Sequence, residues 1–151
     1  KALADHKKGL CTYDVEQVVL AIVVTTGIAS IFLTKDYTPD YNSGLAHAVF
    51  YAMTSYPVIE EKHLHGEVVG FGVLLALLVD KDEEEFEAIY RLNRALGLPV
   101  SLEEIEITEE QWEECETRIP DMSDVAHYPY RVTKEMLDAA MARLRERAAQ
   151  E

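Results

Sequence analysis

The stretch Gly44-Leu-Ala-His-Ala-Val-Phe-Tyr-Ala-Met-Thr54 is followed, after a short interruption, by His63-Leu-His-Gly-Glu-Val-Val-Gly-Phe-Gly-Val-Leu-Leu-Ala-Leu-Leu-Val79. The first part predicts a helix from about Ser43 to Met53, and the second a helix from near His65 through Phe71 to Val79. Pro57 and its neighbours break the pattern between them. The connecting residues are long enough to bring the two helices back side by side, so that His65 at the start of one can face His47 in the other. Gly66, Gly70 and Gly72 fall in the first turns of the second helix, where an interior glycine costs about 1 kcal/mol against alanine. That cost is tolerable where another backbone, or a ligand, must come close.

Upstream, Asp14 with Gln17 resembles a capping box opening a helix over Val15 to about Gly27. Its apolar residues are almost continuous, so it is expected to be buried on most sides. Two apolar stretches, Val18 to Leu33 and Val68 to Val79, invite comparison with membrane spans. Thr25, Thr26, Gly27 and Ser30 break the first, and the second reaches only about two-thirds of the ~20 residues a span needs. Both are read as buried core helices, with no membrane partner. Lys35 to Ser43 is polar and turn-rich and reads as a loop.

Downstream, Asp80 to Leu96 predicts an amphipathic helix with Phe86, Ile89, Tyr90 and Leu96 on or near one face, stopped by Gly97 and Pro99. The acidic run Asp82 to Glu85 reads as its solvated first turn. Ser101 with Glu104, and Thr108 with Gln111, look like two successive capping boxes. Thr133 caps a last helix in which Met136, Leu137, Ala140, Met141 and Leu144 make one stripe. Arg143, Arg145 and Arg147 near its end suit the negative pole of the helix dipole. The fold class is all-α, a helical bundle, and 151 residues fit one domain spanning 1–151.

Apolar residues make up 48% of the chain and charged residues 28%, an ordinary globular balance. The formal net charge is -14, from 28 acidic against 14 basic residues. That excess opposes phosphate-mediated nucleic-acid binding and attraction to anionic membranes. Cys11 and Cys115 lie far apart with no C-x-x-C spacing, so neither a disulfide framework nor a cysteine zinc site is indicated. An acidic, cytoplasmic protein in a reduced compartment is the expectation. The chain starts at Lys1 with no signal-like segment, as a fragment would.

Five histidines are present: His6, His47, His63, His65 and His127. A lone histidine on a helix is usually a satisfied core or surface residue. Neutral imidazoles, however, are favoured ligands for zinc and bind ferrous iron well. Two of them do not complete a site, since a catalytic zinc takes three protein ligands and keeps a position open. His63, two residues before His65, points to the opposite side if that turn is extended; it is read as exposed or as a substrate-side donor. Glu67 either orients an imidazole from outside the ligand set or favours the helix N-terminus, and the second is the simpler reading.

The Ala46-His-Ala-Val49 segment, the proline-containing loop and His65-Gly-Glu-Val-Val-Gly-Phe-Gly72 together resemble the glycerol dehydrogenase branch of the iron-containing alcohol dehydrogenase superfamily. The spacing of the two histidines, 65 minus 47 or 18 positions, resembles that branch more than dehydroquinate synthases or classical iron alcohol dehydrogenases. Gly97-Leu-Pro99, Ala126-His-Tyr-Pro129 and Val132-Thr-Lys-Glu-Met136 resemble later segments in the right order. The resemblance implies the C-terminal helical domain of a dehydroquinate-synthase-like fold. It also implies that His47 and His65 are the histidine ligands of a catalytic metal, zinc or ferrous iron.

As implied by the resemblance, the complete enzyme uses NAD to oxidise a glycerol-like polyol, is a homo-oligomer, and carries an N-terminal nucleotide-binding domain. The sequence departs from the family in two places. The family's third ligand, an aspartate in a G-D-x-L-A segment, has no counterpart here; Asp5 lacks the preceding glycine and lies too near His47. The Gly-rich dinucleotide segments are also missing. His127 keeps the histidine of the family's I-H-N stretch, but Tyr128 replaces the asparagine, so His127 is read as structural. The expectation is a chain inactive alone and holding metal weakly or not at all. Two other readings are a stand-alone, non-catalytic helical interaction domain and part of a glycerol phosphate dehydrogenase. The latter needs basic residues for the phosphate, and Lys62 is the obvious one near the histidines.

Overall fold

The computed structural model describes residues 1–34 and 43–150, so most of the 35–43 loop lies outside the described residues. The described residues form helices and turns and contain no strand. Where the sequence suggests one domain, the chain groups into two compact units, Lys1–Asn42 and Ser43–Glu151.

The first unit holds α1 (Ala2–His6) and α2 (Tyr13–Leu33). Thr12 is the residue before α2, and Asp14 sits inside the helix rather than capping it. A π turn over Ala21–Thr25 joins its two α-helical halves. α2 has no buried residue: Ile22, Val23, Ile31 and Phe32 are 64%, 67%, 70% and 68% exposed. This corrects the expectation of a helix buried on most sides. The apolar run does form the helix, but α1, five residues long and itself without a buried residue, is too short to cover it.

The second unit contains α3 (Leu45–Met53), α4 (Pro57–Lys62), α5 (His65–Val79), α6 (Glu83–Leu96), α7 (Glu109–Arg118) and α8 (Lys134–Ala148). Pro57 starts α4 at a position where its missing N–H is no loss. α5 is the central helix and packs against α3, α6 and α8. Val68, Phe71, Leu74 and Leu75 are fully buried on it, as are Ala48, Val49 and Met53 on α3. Each large side chain so buried contributes about 1.5–3 kcal/mol. The apolar stretch Val68 to Val79 is thus a core helix, as its sequence suggests.

Several boundaries follow the sequence signals. Asp82 accepts from Glu85 N–H (3.1 Å) at the start of α6, and Gly97 closes it at φ 76°, with Leu98 N–H donating to the Asn93 carbonyl (2.9 Å). Phe86 and Tyr90 are buried there, while Leu96 is 44% exposed and belongs to the surface instead. Thr108 and Gln111 form a reciprocal capping box on α7. Ser101 Oγ accepts from Glu104 N–H (3.2 Å), but the Glu104 carboxylate accepts from Val100 N–H (2.7 Å) in place of Ser101 N–H, and the pair closes a turn rather than opening a helix. Ile107 N–H turns back to the Leu102 carbonyl with Glu106 at φ 60°, a conformation that no helix continues. Arg143 and Arg147 on α8 do more than face the dipole: they pair with Glu83 and Glu87 of α6.

One buried carboxylate ties α7 to α8. Glu116 is 2% exposed and accepts from Lys134, which also reaches Asp138. Burial pushes the Glu116 carboxyl above its usual range. Removing the ammonium as Lys134→Met is expected to destabilise the fold by about 2 kcal/mol, because a buried charge loses its partner. Chemical denaturation should show a larger loss at pH 8 than at pH 5, since the neutral acid is easier to bury. A second change, Glu116→Gln, should recover most of the deficit.

Candidate metal centre

α3 and α5 run antiparallel, and their closest approach is set by a glycine. A Cβ on Gly72 would lie 2.5 Å from the Ala46 carbonyl oxygen and 2.8 Å from its Cα. This contact decides between the two readings of the glycines: Gly72 is there for helix packing. Gly66 faces open space, and Gly70 has only ordinary contacts at 3.8 Å. Its carbonyl accepts from Asn93 of α6 (3.2 Å). Gly66→Ala should therefore raise stability by about 0.5 kcal/mol through helix propensity, a gain that thermal unfolding can measure.

With Ala46 seated on Gly72, the next residue of α3, His47, meets the first residue of α5, His65. Their ring centroids are 5.5 Å apart at an interplanar angle of 45°. Phe50, one turn on from His47, stands edge-on to His65 at 4.3 Å, and Tyr51 lies 6.4 Å from His47. His47 is half-buried and His65 is exposed, so the pair sits at a solvent-open edge. At the far end of α3, Arg118 donates to the Ala52 carbonyl (2.6 Å) and to Ser55 Oγ (2.8 Å), satisfying a helix-end acceptor and fixing α3 against α7.

The 63–65 turn is extended at His63 (φ -118°, ψ 142°) and Leu64 (φ -77°, ψ 145°). The alternation sends His63 and His65 different ways. His63 keeps only 11% of its side chain exposed, with Nδ1 3.7 Å from Glu67 Oε2 and Nε2 buried without a partner. This corrects the reading of His63 as exposed, because the extended turn turns it inward. Glu67 Oε2 accepts from Leu64 N–H (2.9 Å), the helix-capping role expected of it. His127 is exposed in the turn after a 3₁₀ segment. Lys62 is held by Glu106, with its Nζ 2.7 and 2.9 Å from the two oxygens. A groove of about 830 Å³ on α7, lined by Glu110, Glu113, Glu114, Thr117, Arg118 and Lys134, includes neither paired histidine.

The spacing of the two rings suits one cation. A metal about 2.0–2.1 Å from an imidazole nitrogen lies about 3.2 Å from the ring centre, and a tetrahedral angle then separates two such rings by about 5 Å. Burial, and then the neighbouring His65, push the His47 pKa down, with Asp124 partly opposing them. The neutral, ligating form is favoured. Among the described residues no group of three or more His, Cys, Asp or Glu side chains converges on one point. The His47–His65 centroid spacing is compatible with two ligands to one ion, one short of the three protein ligands a catalytic zinc takes.

The lowered His47 pKa has a measurable sign. The unfolded imidazole takes up its proton near the ordinary value while the folded one resists, so stability falls as pH drops below about 6.5. Urea titrations between pH 7.5 and 5 should show this loss shrinking in His47→Gln.

The fold defines the class. Over 96% of its length the chain superposes, with a TM-score of 0.70 and 23% identity, on 40% of a probable glycerol dehydrogenase from Sinorhizobium meliloti. It is an all-helical structure of the kind found in a glycerol dehydrogenase. The sequence points the same way: the chain is similar to glycerol dehydrogenases, 35% identical over 105 residues to that of Pseudomonas putida and 30% over 114 residues to that of Escherichia coli. Those matches cover 63% and 73% of this chain. A third, to the Thermotoga maritima enzyme, is 43% identical over 63 residues, 40% of this chain and 16% of that protein. The chain spans 28% of the length of the first two relatives. No family profile matches it.

Proposed function

We propose that this chain is the metal-binding helical part of an NAD-linked dehydrogenase that oxidises a glycerol-like polyol. The observation that carries the reading is the meeting of His47 and His65 across α3 and α5 at a spacing one divalent cation can bridge. When bound, such a cation supplies Lewis-acid polarisation of a hydroxyl group. The chain's own residues prepare that position. Half-burial keeps His47 neutral, the edge of Phe50 fixes the plane of His65, and the Gly72–Ala46 contact fixes the distance between them.

The third ligand and the nucleotide site lie outside the described residues in this reading, which makes the chain inactive by itself. It places the assembled enzyme in the cytoplasm as a homo-oligomer. A glycerol phosphate dehydrogenase fits less well, because Lys62, the cation nearest the histidines in sequence, is engaged by Glu106 on both carboxylate oxygens. The test is a zinc titration of the chain followed through its histidine ring signals by NMR, paired with an assay of NAD reduction on glycerol. His47 and His65 should shift together, with no turnover. Independent behaviour of the two rings, or robust turnover by this chain alone, would refute the reading.

A further inference from the structure

We infer that Asp124 is a further residue of the candidate metal centre: an outer carboxylate, not a ligand, whose negative charge offsets that of a divalent cation held by His47 and His65 and turns the site against anionic substrates. The inference rests on the dehydrogenase reading above.

The position of Asp124 follows from the packing of its segment. The 3₁₀ turns Ile119–Asp121 and Ser123–Val125 both pack against α3. Val125 is buried and anchors the second turn in the core. The Val125, Ala126 and Tyr128 N–H groups donate to the Met122, Ser123 and Val125 carbonyls (3.3, 3.0 and 3.1 Å) and close the chain there. Beyond it the Tyr128 ring reaches the start of α3, 4.0 Å from where a Cβ on Gly44 would stand. The segment therefore runs along the first turn of α3, which carries His47, and Asp124 is half-buried on it.

The second observation is that Asp124 is uncommitted. Other carboxylates nearby in the fold are engaged: Glu67 with Leu64 N–H, Glu106 with Lys62, Glu114 with the Tyr56 hydroxyl. Among the described residues Asp124 makes no hydrogen bond or ion pair. Its charge bears on His47, where it opposes the effects of burial and of His65. Two neutral imidazoles bring no charge to a divalent ion, so the field of a nearby carboxylate favours the ion's entry. The same field repels a phosphate or carboxylate on the substrate, which leaves neutral polyols as the class admitted.

The test is a zinc titration of the full 151-residue chain, followed through the His47 and His65 ring signals and repeated for Asp124→Asn, Asp124→Glu and Asp121→Asn. Asp124→Asn should raise the zinc concentration at half-shift about three- to tenfold, the reach of one charge several ångströms away in a water-rich medium. Asp124→Glu should restore most of the affinity. Asp121→Asn, which removes an exposed acid one 3₁₀ turn earlier, should leave it unchanged. The deficit of Asp124→Asn should shrink in ~1 M sodium perchlorate, where charges are screened beyond about 3 Å; a purely structural role would not respond to salt in this way. An affinity indifferent to Asp124→Asn, an equal loss in Asp121→Asn, or a loss as complete as that of His47→Ala would each overturn the inference. So would lower thermal stability with zinc affinity intact, the mark of a charge that merely serves the uncapped end of α3. The dehydrogenase reading fails separately: if neither ring of the unsubstituted chain shifts with zinc, both fall, and if the rings shift together but ignore Asp124, only the inference falls.

Discussion

Gly72→Ala is expected to destabilise the second unit by about 2–3 kcal/mol, the largest effect of any single methyl group added to it. Alanine gains about 1 kcal/mol of helix propensity over glycine. Against that, the new Cβ would sit 2.5 Å from the Ala46 carbonyl oxygen, a backbone atom that cannot swing aside as a flexible side chain would. α3 and α5 must separate, and the packing of Ala48, Val49, Phe71 and Leu75 between them loosens. The clash wins because it disturbs a close-packed contact between the two helices, whereas propensity acts at one residue. Denaturant titration measures the loss. Gly66→Ala, in open space on the same helix, is the control that separates clash from propensity. A neutral or stabilising Gly72→Ala would mean that α3 and α5 are not in backbone contact.

The same substitution should also disturb the candidate centre, since the Gly72–Ala46 contact lies next to His47. The direct test is removal of the rings. In the complete enzyme, where the third ligand is present, His47→Ala or His65→Ala is expected to weaken zinc binding at least 10- to 100-fold, the range already produced by loss of a group that merely supports a ligand. The double variant should be little worse than either single one, because two imidazoles holding one ion act as a unit. Calorimetry or competition with a chromophoric chelator measures this. His63→Ala is the informative contrast: His63 is two residues from His65 but buried on the other side of the turn, so its loss should change stability more than zinc affinity. Equal loss of affinity in all three variants would relocate the metal to the 63–65 turn.

Much of this was legible before any fold was known. Caps and stops announced α6, α7 and α8, because they are satisfied within a few residues: the Gly97 stop of α6, Thr108 to Gln111, Thr133 to Met136. The pairing of His47 with His65 was legible as well, since a break at Pro57 between two apolar helices leaves few ways to pack them. Other signals misled. Ser101 and Glu104 have the pattern of a helix start and make one of its hydrogen bonds, yet the chain turns back at Glu106. α4 went unread because six residues beginning with a proline look like an interruption.

The sequence by itself determined most of the long helical segments, where several of them start and stop, and that two imidazoles stand 18 positions apart on neighbouring helices. These depend on spacing along the chain and on hydrogen bonds closed within one turn. Tertiary structure decided which of three glycines is a contact point, that His63 turns inward while His65 stays at the open edge, and that α2 has no cover within its unit. Each of those depends on what lies across a gap from the residue, and a neighbour in space leaves no mark on neighbours in sequence.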